Sequence, residues 1–147
     1  MRTFYRQGQT IVEAIVVIAV VVILTTGVIA GTTASLRSAQ DGRVRTQAIR
    51  FAQEGVEILR TLRDENWTTF YQHTNQTWCL GSDGILTAAS GGACSPNITT
   101  SEGTNLTRKV TLTWNDPTII AGVNVSYPIT DTVARSVLVT TYLTQWK

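Results

Sequence analysis

Glu13 is the one ionisable side chain between Arg6 and Arg37; from position 14 to position 36 the chain carries no charge at all. A carboxylate carried to the centre of a bilayer costs about 2.5–3.5 kcal/mol. The chemistry open to Glu13 is therefore ion pairing in an apolar medium, and it calls for a cation. Cys79 and Cys94 are the two thiols of the chain. In an oxidising compartment they can close a disulfide that stabilises a fold by roughly 3 kcal/mol in the chain-entropy model. In a reducing one they are two unrelated thiols. His73 stands alone in a polar stretch, without partners at ligand or catalytic spacing. Asp83, Asp116 and Asp131 are candidate calcium ligands, but no calcium-ligand spacing surrounds them and turn roles suit them better. There is no phosphate loop, nucleophile elbow or paired carboxylate frame. These residues describe a non-enzymatic chain with no cofactor and no metal.

The element that must position Glu13 is the uncharged run behind it. From 14 to 36 it has 23 residues, roughly 35 Å as a helix, enough to cross a bilayer core of about 30 Å. A cleaved secretory signal has a shorter apolar core, and an ordinary signal anchor gives no reason for Glu13. Basic residues flank both sides, Arg2 and Arg6 before the run and Arg37, Arg43 and Arg45 after it, so the positive-inside rule leaves orientation open. The cysteines and the Thr-rich C-terminal half favour a C-terminus outside the cell. The whole chain has 147 residues, 15% of them charged, and a net charge of +2. That excludes an elaborate enzyme scaffold behind the membrane segment and carries no electrostatic footprint for nucleic acid.

The run Gly8-Gln9-Thr10-Ile11-Val12-Glu13-Ala14-Ile15-Val16-Val17-Ile18 resembles the start of type IV pilins and pseudopilins. Their precursors carry a short basic leader ending in Gly, then Thr, aliphatic residues and Glu at the mouth of a hydrophobic helix. The likeness covers about 30 residues closely; Gln9 stands where the family commonly has Phe. It implies cleavage between Gly8 and Gln9 by a prepilin peptidase and methylation of the new amine. That amine, with an ordinary pKa of about 8, would meet Glu13 of a neighbouring copy inside an apolar bundle, where neither charge is tolerable alone. The pair would set axial register, as buried polar residues do in coiled coils. The implied partners are identical or related pilins, the prepilin peptidase, an inner-membrane assembly machinery, and membrane lipid before assembly. The implied location is the cytoplasmic membrane, single-pass with the C-terminus outside, and then an extracellular filament.

Five segments are expected within an α+β, pilin-like fold: a leader over 1–8, the hydrophobic assembly half of a long helix over 9–36, and its amphipathic half over 37–64. A connecting loop with Cys79 and Cys94 fills 65–105, and an antiparallel sheet head follows over 106–147. In the amphipathic half Ala48, Ala52, Val56, Leu59 and Leu62 form one stripe at helical spacing, with Arg60 and Asp64 four apart as a pair. No proline interrupts 10–64, and Gly27 and Gly31 make a small-xxx-small pattern suited to close helix approach. Thr25, Thr26, Thr32 and Thr33 are placed to satisfy backbone carbonyls beside those glycines. Residues 66–105 read as irregular, with Trp67, Phe70, Tyr71 and Trp78 anchoring a loop on the helix. Alternation then places Leu106, Val110, Leu112 and Trp114 on one face of a strand over 106–114. Asn115, Asp116 and Pro117 give a turn; a weaker strand over 123–127 and a last one over 135–146, with Val137, Val139 and Leu143 inward, complete three strands.

The functional expectation is a structural subunit that polymerises into a filament for adhesion, motility or DNA uptake. A secretion pseudopilin built by the same physics is the near alternative. A membrane-anchored glycosylated receptor or adhesin is the distant one, raised by N-x-S/T sequons at Asn66, Asn75, Asn97, Asn105 and Asn124. Thr-rich strands beside turn asparagines account for the same sequons without any glycan.

Overall fold

The computed structural model describes residues 6–130 and 133–145, with side chains from residue 11 onward except that of Thr130. Residues 1–5 of the expected leader and Asp131 lie outside the described residues, and Gly8 and Gln9 are placed by backbone alone. The chain divides into two compact units, Met1–Gln40 and Asp41–Lys147. Helix α1, Arg6–Glu65, is continuous through the boundary.

The first unit is helix alone. In the second, the remainder of α1 packs on a small antiparallel sheet, so the class is α+β as expected. A short helix α2, Trp67–Gln72, follows at once. The strands are β1 Gln76–Leu80, β2 Leu86–Ala88, β3 Ile98–Thr99, β4 Asn105–Asn115, β5 Thr118–Thr130 and β6 Val133–Thr144. They form one sheet in the order β2-β1-β4-β5-β6, with β3 paired to β4 off that path.

The expected irregular connection is corrected here. Residues 66–105 hold α2 and three strands, and β1 lies beside β4 in the main sheet, Trp78 opposite Val110. The alternation of Trp78 and Leu80 with Thr77 and Cys79 is only five residues long, too short to stand out from a loop. The expected second strand is longer too. It starts at Thr118, directly after the two-residue turn at Asp116 and Pro117, with Asn115 opposite Thr118. Pro128 falls inside β5 rather than after it. Pairing to β4 ends at Ser126, so Pro128 sits where β5 has a neighbour on one side only, and its missing N–H breaks no ladder there.

The core forms where the helix stripe meets the inward face of the sheet. Ala48, Ala52, Val56 and Leu59 are buried against Leu80, Leu106, Val110, Leu112, Ile119, Ala121, Val123, Val125 and Leu143. Leu62 and Trp114 pack at its border, with Val137 and Val139. Small residues on the stripe bring the helix close, and closest at Gly55. A Cβ built there would stand 2.9 Å from Val123 Cγ1 and 3.1 Å from the Cδ of Arg108. Gly55 thus trades about 1 kcal/mol of helix propensity for contact with the sheet. Gly27, Gly31 and Gly42 have nothing within 4 Å. The expected Arg60–Asp64 pair does not form: Arg60 reaches back one turn to Glu57 at 2.6 Å, and Asp64 is held by its neighbour Arg63 at 2.7 Å.

Candidate functional site

Four successive positions of a helix cover a full turn, and Ile15, Val16, Val17 and Ile18 are 61%, 55%, 55% and 63% exposed. The same holds along the segment through Val28, Ile29 and Leu36. A helix apolar on every side has no face that suits water; it belongs in lipid or among other apolar helices. The helix from Ile11 onward is long and apolar enough to span a membrane.

Four threonines of this segment are bonded within the helix. The Thr25 hydroxyl donates to the carbonyls of Val21 and Val22 at 2.8 and 3.0 Å, and that of Thr26 to Val22 at 2.7 Å. Thr32 donates to Ile29, and Thr33 to Ile29 and Ala30, at 2.9–3.0 Å. Each threonine therefore enters an apolar medium without an unpaired donor. Glu13 differs. It is exposed and has no hydrogen-bond or ion-pair partner among the described residues. Gly8 and Gln9 lie in the backbone of α1, one turn before it. The open surface at Gly27 and Gly31 leaves room for a second helix to approach.

Cys79 and Cys94 are brought together as a disulfide, their Cα atoms 5.6 Å apart. Cys79 sits on β1 opposite Lys109 of β4, on the face of the sheet away from the helix. The bridge ties the long excursion through β2 to the sheet. His73 is spent on structure: its Nδ1 lies 2.8 Å from the Thr69 carbonyl, and its ring meets Trp78 edge-on at 4.6 Å. Asp83 accepts from the backbone N–H of Ile85 at 3.1 Å, a turn role. Among the described residues no group of three or more His, Cys, Asp or Glu is placed to hold a metal.

The sequons have structural work as well. Asn66 caps α2 by accepting from Thr69 N at 3.0 Å. Asn75, at φ 60°, accepts from Trp114 N at 3.3 Å. Asn97 brackets the backbone of Arg108, donating to its carbonyl at 3.0 Å and accepting from its N–H at 2.7 Å.

Sequence reasoning missed Arg108. The residue is fully buried, on the inward face of β4 between Leu106 and Val110. Its guanidinium donates to Leu80 O at 3.0 Å, Phe51 O at 3.0 Å, Gly81 O at 2.6 Å and Glu54 Oε1 at 3.1 Å. One side chain thereby ties α1, β1 and the turn after β1. A signal existed in the alternation itself, since a charged residue at an inward strand position must find partners inside.

Comparison with known proteins finds no matching family model, no matching curated protein and no matching solved structure.

Proposed function

We propose that this chain is a type IV pilin-like structural subunit. It is cut between Gly8 and Gln9 by a prepilin peptidase, held in the cytoplasmic membrane by α1 with its C-terminal unit outside, and polymerised into an extracellular filament. One observation carries the reading. The helix surface is apolar on all sides, its threonines are internally bonded, and one carboxylate, Glu13, is left without a partner one turn after the Gly8–Gln9 bond. Lipid solvates the apolar surface but does not neutralise the carboxylate. A new α-amine at Gln9 of an adjacent copy does, and a buried charge pair of this kind fixes the stagger between copies because any other register leaves both charges alone. The disulfide supports a C-terminal unit in an oxidising compartment.

The test is the mass of the native chain purified from its membrane and from sheared surface material. A start at Gln9, with or without a methyl group, is expected. Chains retaining Met1 throughout would overturn the reading. Glu13→Gln keeps shape and removes the charge: insertion and cleavage should persist while filaments disappear. Wild-type filament yield from that variant would remove the role assigned to Glu13.

A further inference from the structure

Three chain segments meet at the end of the C-terminal unit where β4 turns into β5. Helix α2 contributes Trp67 and Tyr71, one turn apart and hence on one face. Phe70, 2% exposed and with its ring centre 6.4 Å from that of Trp67, pins α2 to the core. The end of β4 and its turn contribute Trp114 and Asp116, and the end of β6 contributes Thr144 and Gln145. The space between them is an open cleft of about 700 Å³, within the range of small-ligand sites. Tyr71 and Trp114 meet at right angles, ring centres 5.0 Å apart, and Tyr71 is 42% exposed. The local fold holds this arrangement: Asn66 caps α2, and Asn75 takes the backbone N–H of Trp114.

The groups lining the cleft narrow the ligand. None of the residues lining the cleft is Lys, Arg or His, so these side chains offer no cation to a phosphate, a nucleic acid or an acidic sugar. Asp116 is exposed, in no ion pair among the described residues, and accepts only. It needs a ligand that donates. A proline-rich peptide docks on aromatic grooves but offers mainly carbonyl acceptors, which a carboxylate repels. An ammonium head would suit aromatic faces and a carboxylate, but fills little of this volume and leaves Thr144 and Gln145 unused. A pyranose satisfies every group at once: its polarised C–H face lies on the negative face of an aromatic ring, and its hydroxyls donate to Asp116 and exchange hydrogen bonds with Thr144 and Gln145. We propose that this cleft is a binding site for neutral oligosaccharides of two to three sugar units. The assignment stands independently of filament assembly.

The test uses the full chain in a polyoxyethylene detergent, which carries neither sugar nor ammonium. Tryptophan emission is followed while maltotriose, cellotriose, chitotriose or lacto-N-tetraose is added, with sialyllactose, choline and a decaproline peptide as contrasts. A saturable shift with at least one neutral saccharide is expected, weakened about tenfold by Tyr71→Ala or Asp116→Asn, both at exposed positions. Trp114→Ala should abolish it, with near-ultraviolet circular dichroism checking that the fold is retained. The proposal is overturned if no neutral saccharide of the panel acts at about 10 mM, if the Tyr71 and Asp116 variants bind as the parent does, or if only choline, the peptide or the sialylated sugar binds.

Discussion

Replacing Arg108 with Met tests whether the buried guanidinium holds the C-terminal unit together. Methionine keeps the apolar contacts of the stem and lacks the guanidinium head. What disappears is the set of hydrogen bonds to Leu80 O, Phe51 O, Gly81 O and Glu54. Glu54 is 48% exposed, so its share of the loss is screened and small, under about 1 kcal/mol. The carbonyls matter more. Charge-assisted bonds contribute about 1.5–3 kcal/mol each, but Gly81 O keeps a second donor in Gly84 N, and the losses are not additive. Leu80 O and Phe51 O each lose a charge-assisted bond of about 1.5–3 kcal/mol, and together we expect a loss of about 3–5 kcal/mol. Against a total stability of about 5–15 kcal/mol, the variant is severely weakened. At about 4 °C per kcal/mol for a unit of this size, the midpoint falls by about 12–20 °C. The assay is thermal unfolding of the full chain in detergent, followed by near-ultraviolet circular dichroism, because Trp67, Trp78 and Trp114 report the C-terminal unit while the membrane segment stays helical. The opposing force is desolvation of the guanidinium. If it matches the gain, Arg108→Met leaves the midpoint unchanged or raises it, and the reasoning is refuted. Glu54→Gln should shift the midpoint little in either case.

Further outcomes follow from the same contacts. Gly55→Ala should destabilise by about 1–3 kcal/mol, because the new methyl group meets a rigid Val123 branch at 2.9 Å; Gly42→Ala, with open space around it, should stabilise by up to about 1 kcal/mol. The two midpoints in one denaturation series check the pair. Reducing Cys79–Cys94 should cost roughly 3 kcal/mol for a loop of this size and speed proteolysis within residues 80–93 while α1 remains protected, as limited proteolysis with and without reductant will read. Gly8→Val should leave uncut precursor in the membrane, visible as a single heavier species by intact-mass measurement.

Local pattern alone carried the long helix, its apolar first half and the inward stripe of its second, because charge content and a 3.6-residue period are properties of consecutive residues. The strands at β4 and β6 were legible for the same reason: their alternation is long enough to exceed chance. The short strands β1, β2 and β3 were not, since a run of two to five residues becomes a strand only when a partner supplies its hydrogen bonds. Nor could the chain alone distinguish Gly55 from Gly42, or assign Arg60 to Glu57 rather than Asp64; those choices depend on what stands opposite and on which rotamers the packing leaves. The cysteine bridge is one of two readings of the chain; folding decides it by bringing two Cα atoms 15 positions apart in sequence to within 5.6 Å. The partners of Arg108 and the aromatic cleft belong to the tertiary level. A buried cation is stable only where carbonyls from distant segments converge on it, and a cleft exists only where separate segments end side by side. Glu13 lies at the other limit: its isolation is written in the chain, because the 23 positions that follow it carry no charge.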